Sequence, residues 1–244
     1  MTSYFLVPAP VSDVVGGIAA RGFALVEGET FFAGASGTTA LDMFGAAWNS
    51  LPPDDYLPEK ASYRQRRYTR FILEVGSDRP WPVWNTGYLQ PGAANPLVGD
   101  RVRRFPPLLA SQANDPFLRA LILRDAEVFD ICAGGRPTHW EVDVHMIRVT
   151  ADRNALGQPS PEGRHRDGFD YIALHHMGRE NVTGGVTEIY DPAGHGLTRH
   201  MFTRRLDSMY ADDTRILHDV TPLAPGPNGP TGHRDMLLTS FTAR

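Results

Sequence analysis

The sequence predicts a mainly β domain with flanking helices, and three observations carry that prediction. Residues 165–167 read His-x-Asp, and a strand is the element that points residues i and i+2 to one side. Residues 140–150 alternate, with Val142, Val144 and Met146 on one face and Glu141, Asp143 and His145 on the other. Two apolar segments, 214–220 and 234–242, flank a stretch dense in Pro, Gly and Asn. That last pattern predicts a long-looped hairpin.

The elements follow in order. Residues 12–21 predict a helix capped by Ser12 or Asp13, and 22–26 a strand. Residues 39–51 predict a helix burying Leu41, Met43, Phe44 and Trp48. Residues 63–74 end in a strand, Arg70 to Glu74. The basic run before it, 63–68, could steer an anionic substrate, although such a run is ordinarily a solvated face. Residues 81–100 read as an ordered loop. Residues 115–129 predict a helix burying Phe117, Leu118, Leu121, Ile122 and Leu123. Residues 153–164 form a Gly/Pro loop, a candidate lid. Residues 168–177 continue past the His-x-Asp as a strand with Phe169, Tyr171 and Ala173 on one side. Segments 184–191 and 200–206 and the last hairpin complete the set. The chain reads as one domain over 1–244, with 1–130 as supporting helices and outer strands and 131–244 as the core carrying the metal site.

Composition sets limits. At 244 residues the chain is ample for one core, and 41% hydrophobic with 21% charged residues is ordinary for a soluble globule. A net charge of −4 argues against a nucleic-acid partner, which demands basic surface. The single Cys132 rules out an internal disulfide framework and a cysteine-rich metal site. No apolar run approaches the roughly 18 residues of a membrane helix. Residues 1–8 lack a basic n-region and a proper h-region, so a cytoplasmic location is expected. All nine histidines lie from His139 onward.

The chemistry centres on His165, Asp167 and His218. Two imidazoles and one carboxylate on one face of a divalent ion make the facial triad of non-haem Fe(II) oxygenases, leaving about three of six positions open. The expected hairpin would return Arg234 beside the strand carrying His218. A guanidinium binds a carboxylate through two parallel hydrogen bonds, which suits the distal carboxylate of 2-oxoglutarate.

Together, His165-x-Asp167, His218 and Arg234 resemble the Fe(II)/2-oxoglutarate-dependent dioxygenases. More narrowly, the chain resembles the bacterial branch that includes the L-isoleucine hydroxylases. Further matching pieces are Arg66-Arg67-Tyr68, Gln90 with Asn95-Pro96-Leu97, Phe105-Pro106-Pro107-Leu108, Trp140-Glu141-Val142, Gly184-Gly185 before Glu188-Ile189-Tyr190-Asp191, and His233-Arg234-Asp235. The resemblance implies a double-stranded β-helix, or jelly roll, and hydroxylation of a small free amino acid. It implies Fe(II), 2-oxoglutarate as co-substrate and O2, with ascorbate as an in vitro activator. It also implies hydroxylation rather than halogenation, because related halogenases carry a small residue where this chain has Asp167.

For the rest of the site, His145 and Thr187 are candidate contacts for the co-substrate. Arg148, ahead of Arg166, is the candidate for a substrate carboxylate, and Glu141, Asp143 or Asp170 for its ammonium, since buried charges must be paired. Phe169, Tyr171 and Trp140 are candidate apolar walls. Two other readings use the same residues: a zinc hydrolase, and a barrel that binds a metabolite without turnover. The first gives Arg234 no task and lacks an evident general base. The second leaves the intact triad unexplained. Oligomeric state is open.

Overall fold

In a computed structural model, the described residues are 10–28, 38–57, 61–95, 97 and 99–244. The leader expectation for residues 1–8 lies outside them. The helices are α1 (Val11–Arg21), α2 (Thr38–Gly45) continuing as a 3-10 turn (Ala46–Ser50), α3 (Ala110–Ala113) and α4 (Pro116–Cys132). The strands are β1 (Phe23–Val26), β2 (Arg64–Glu74), β3 (Trp81–Val83), β4 (His139–Asp152), β5 (Tyr171–Glu180), β6 (Val182–Gly184), β7 (Thr187–Tyr190), β8 (Gly196–His200), β9 (Ser208–Asp212), β10 (Leu217–Val220), β11 (Leu223–Pro225) and β12 (Thr231–Ala243).

Seven strands form one antiparallel sheet in the order β1-β9-β5-β12-β4-β2-β3, faced by the smaller sets β10-β7-β8 and β11-β6. This is the jelly roll. The alternation of β4 decides how the layers stack. Val142, Val144 and Met146 join the core that packs on α1, α2 and α4. Ile147 and Val149 face the other way, onto Leu223 of β11. Ile172 and Leu174 of β5 pack with Ile189 of β7 in the same interior.

The helices cover the outer face for local reasons. Asp115 caps α4 by accepting from the Phe117 amide at 2.8 Å, and Pro116 stands at the first helical position, where its missing N–H costs nothing. Helix α1 starts one residue before Ser12, with Pro10 at its cap position and no side-chain cap, so Ser12 and Asp13 fall inside the first turn. Gly22 ends it with φ +84°, donating its N–H to the Ile18 carbonyl. In α2 and the turn after it, Leu41, Phe44 and Trp48 are buried, and the Trp48 indole donates to the Ile147 carbonyl at 3.1 Å. Met43 is 73% exposed, contrary to expectation, because it lies off the i, i+3, i+7 stripe of the other three.

Three strand expectations need correction. The last two apolar segments do not pair with each other: β10 pairs with β7 in the small sheet, and β12 lies between β4 and β5 in the large one. Between them the chain adds β11 to β6, so it crosses the barrel instead of turning back. Residues 201–206 are irregular, since the Asp207 carboxylate accepts the amides of Thr203 and Arg204 and holds a turn there; the strand is β9, just beyond. The strand after the His-x-Asp starts only at Tyr171.

Candidate active site

His165 and His218 form an isolated antiparallel bridge, each amide donating to the other's carbonyl, at 3.0 and 2.9 Å. His218 stands on β10 opposite Ile189. Asp167 sits in a turn, not a strand. The Asp213 carboxylate accepts the amides of Asp167, Gly168 and Phe169 at 3.1, 2.7 and 3.0 Å. The Gln90 carboxamide donates to the Asp167 carbonyl at 2.9 Å, and Gly168 supplies φ +89°, a conformation that favours glycine. The Arg166 guanidinium turns away, onto the Ile216 carbonyl.

The result is convergence. One donor atom from each of His165, Asp167 and His218 lies within 4.8 Å of the others, and all three residues are buried. His165 Nε2 is 3.5 Å from Asp167 Oδ1, and His218 Nε2 is 3.9 Å from Asp167 Oδ2. The Gly163 carbonyl can only accept, so His165 Nδ1 donates to it at 2.8 Å, leaving Nε2 to face Asp167 and, once deprotonated, to offer its lone pair to a metal. Burial alone would lower the His165 pKa, but Asp167 and Glu162 outweigh it and hold the imidazole at about 9. Burial and His165 push His218 down to about 4. Burial would raise Asp167, but the two imidazoles hold its carboxyl below the usual range. Two imidazoles and an ionised carboxylate sharing one buried spot fit a divalent cation, which would take the place of the shared proton.

Arg234 enters the same cavity from β12. It is buried, and its Nε has no hydrogen-bond partner. No carboxylate within the salt-bridge limit pairs with it among the described residues, and burial lowers it to about 10. Gly185, at φ +71°, lets it lie there: a Cβ would come 3.2 Å from Arg234 Cδ. His176 also turns inward beside this end, fully buried and without a side-chain partner; burial, Arg234 and Arg179 push it down to about 3.

The other lobe is formed largely by residues to which the sequence assigns no specific contact, although Arg66 and Gln90 belong to the family-matching segments and Arg64 and Arg66 to the basic run that could steer an anion. Arg64, Arg66, Tyr88, Gln90, Arg103 and Glu162 line it, together with Asp167 and the expected His145. Asp54, fully buried in its side chain, meets Arg64 at 2.7 Å and Arg66 at 3.6 Å. The basic run is therefore an interior wall on its even-numbered side. Its period of two, Arg64, Arg66, Tyr68, was the signal that could have shown it. His145 stacks on Tyr68 at 4.7 Å, and burial, reinforced by Arg66 and Arg103, keeps it neutral.

Several expected contacts are elsewhere. Arg148 points to the helix side of β4 and is held by both oxygens of Asp235 at 2.7 Å. Glu141 lies near the far end of β4 with Arg70 and Arg244. Asp170 accepts the Ala243 amide, and Tyr171 stacks on Phe129 in the helix-side core at 5.0 Å. The turn at Gly168 shifts the frame, so neither points to the triad. Trp140 is also in that core, donating to Asp130. Thr187 is buried in the small sheet and lines neither lobe. Phe169 stacks on Tyr88 at 6.2 Å, behind the lobe that Tyr88 lines.

The sequence profile of the 2OG-Fe dioxygenase family matches residues 45–240. The 3(1)-hydroxy-L-isoleucine 4-dioxygenase of Pantoea ananatis is 27% identical over 205 residues, 82% of this chain and 80% of that protein. The L-isoleucine-4-hydroxylase of Bacillus thuringiensis is 23% identical over 224 residues, 91% of each. The crystal structure of a bsmA homolog from Methylobium petroleophilum PM1 superposes with a TM-score of 0.88 at 28% identity, covering 97% of this chain and 94% of that one.

Proposed function

This chain belongs to the 2OG-Fe dioxygenases, and on that premise we propose that it hydroxylates an unactivated C–H bond of a small free L-amino acid with an aliphatic or cyclic side chain. Isoleucine, leucine, proline and pipecolate are the candidates. The family uses Fe(II), 2-oxoglutarate and O2. One observation carries the reading: a single cavity joins the His165–Asp167–His218 group to an unpaired, buried Arg234. The names of the two isoleucine-acting relatives, matched over most of their length, support the substrate class.

In this reading His165, Asp167 and His218 hold the iron, and Arg234 grips the far carboxylate of 2-oxoglutarate through its planar fork. Iron and 2-oxoglutarate held there would, with O2, supply the oxidising power for hydroxylating a C–H bond. The protein's own task is placement. The Gly163 carbonyl fixes the His165 tautomer. Asp213 and Gln90 hold the Asp167 backbone from its two sides. Ile147 and Leu238 give the wall between the lobes an apolar surface that excludes water from the target carbon. A zinc hydrolase would leave Arg234 a buried cation with no counter-ion, and a barrel without turnover would leave the intact triad without a task.

The test is a panel of free L-amino acids with Fe(II), ascorbate and 2-oxoglutarate, read for succinate and for a product heavier by one oxygen. Coupled release with an aliphatic or cyclic member supports the reading. Release with none of them, or only with a blocked or tethered substrate, overturns it.

A further inference from the structure

We propose that the lobe beside the triad clamps the substrate's zwitterionic backbone, with Arg66 and Arg103 taking its carboxylate and Glu162 its ammonium. The inference rests on the amino-acid reading above and assigns its recognition to particular side chains.

Arg66 and Arg103 are both buried, and each has an Nε with no hydrogen-bond partner. Both lean on aromatic rings that attract a cation without neutralising it. Arg66 lies 4.7 Å from the Phe105 centroid, and Arg103 lies 4.8 Å from that of Tyr88 and 5.6 Å from that of Phe105. Arg103 otherwise donates to Gln90 Oε1, a neutral acceptor. Among the described residues the carboxylate that salt-bridges Arg66 is Asp54, at 3.6 Å, and Arg64 Nε already engages it at 2.7 Å. Two adjacent buried guanidiniums thus share less than one counter-ion. A ligand carboxylate supplies what is missing, and their donor forks match its geometry.

Glu162 is the complement. It lies in the loop before His165, with Oε1 3.5 Å from His165 Nε2 and 3.4 Å from Asn95 Nδ2. No Lys or Arg salt-bridges it among the described residues. It lines both lobes, between the arginines and the triad. An ammonium there would lie within reach of a carboxylate and a neutral amide. Ile147, Leu238 and Pro161 supply the apolar lining for the side chain.

The experiment matches each charge on the protein with one on the ligand. The probes are the amino acid of the panel giving the fastest coupled succinate release, its N-acetyl derivative and its methyl ester. In the unsubstituted protein each blocked probe should raise KM about tenfold or more, the loss expected for one charged hydrogen bond. Glu162→Gln should raise KM for the free amino acid and largely erase its advantage over the N-acetyl probe, while keeping its advantage over the ester. Arg66→Gln and Arg103→Gln should do the reverse. Titration calorimetry of the Mn(II)- and 2-oxoglutarate-loaded protein with the same probes under nitrogen should give the same pattern in Kd. Coupled turnover with unchanged ratios in all three variants overturns the clamp and leaves the amino-acid reading standing. Equal turnover of free and blocked probes by the unsubstituted protein overturns the clamp without any variant. No coupled release with any amino acid overturns both.

Discussion

His165 and His218, far apart in the chain, are each other's backbone partners: two amide–carbonyl bonds of 3.0 and 2.9 Å join them, and their rings lie 4.4 Å apart. Each candidate ligand is thus fixed by the strand pairing of the other, and no side-chain rearrangement is needed to bring them together. Asp167 lacks such a pairing and depends on Asp213 and Gln90 instead.

That dependence makes Asp213 a positioning residue. Asp213→Ala should weaken Co(II) binding by about ten- to a hundred-fold, although Asp213 offers the metal no atom. Asp213→Asn keeps one acceptor oxygen and should fall between the two. Titration of the absorption bands of Co(II), beside the Tm of the metal-free variants, separates a loosened ligand from a loosened fold. Unchanged Co(II) affinity in Asp213→Ala would remove this role.

Arg234 and Arg148, both on the central strands of the large sheet, should behave differently. Arg234→Lys keeps a charge but loses the fork, so KM for 2-oxoglutarate should rise roughly ten- to a hundred-fold. Arg148→Lys should leave that KM unchanged, because Asp235 already holds Arg148 on the other face of β4. Initial rates against 2-oxoglutarate decide it, and the opposite ranking would move the clamp to Arg148.

Metal binding should carry a pH signature. In the metal-free protein Asp167 and Glu162, working against burial, hold His165 at about 9 against an ordinary 6.5. At pH 7.5 it is protonated and must lose that proton to bind a cation. Co(II) binding should release about one proton, and Kd should tighten about tenfold per pH unit between 6.5 and 9. For folding the sign is opposite. A raised imidazole pKa stabilises fully below 6.5, and the effect is lost as pH rises through 9, so the metal-free Tm should fall over that window. Calorimetry in buffers of different ionisation enthalpy counts the proton, and release of none would rule out a protonated His165.

The sequence made much of this legible, for physical reasons. His-x-Asp, the later histidine and Arg234 carry unusual chemistry in short words, and the parity of β4 separates its two faces. The same parity could have excluded Arg148, which shares the phase of Val142, Val144 and Met146. Other features depend on distant partners. Burial of Arg64 and Arg66 rests on Asp54 and Phe105, and a basic run looks the same whether solvated or enclosed. Asp213 caps a turn that interrupts the expected strand, and that interruption moved Asp170 and Tyr171 off the triad. Two apolar segments with turn formers between them also look alike whether they pair or, as here, enter opposite sheets.

We propose that His165, Asp167 and His218 form the iron site of amino-acid hydroxylation coupled to 2-oxoglutarate. The most direct measurement counts succinate and hydroxylated amino acid in the same reaction, for the unsubstituted protein and for His165→Ala, Asp167→Ala and His218→Ala. Near-equal amounts are expected from the first. Neither product should form in the variants, with circular dichroism showing that each still folds. Full turnover in any one variant, or hydroxylated product formed without 2-oxoglutarate, would contradict the account.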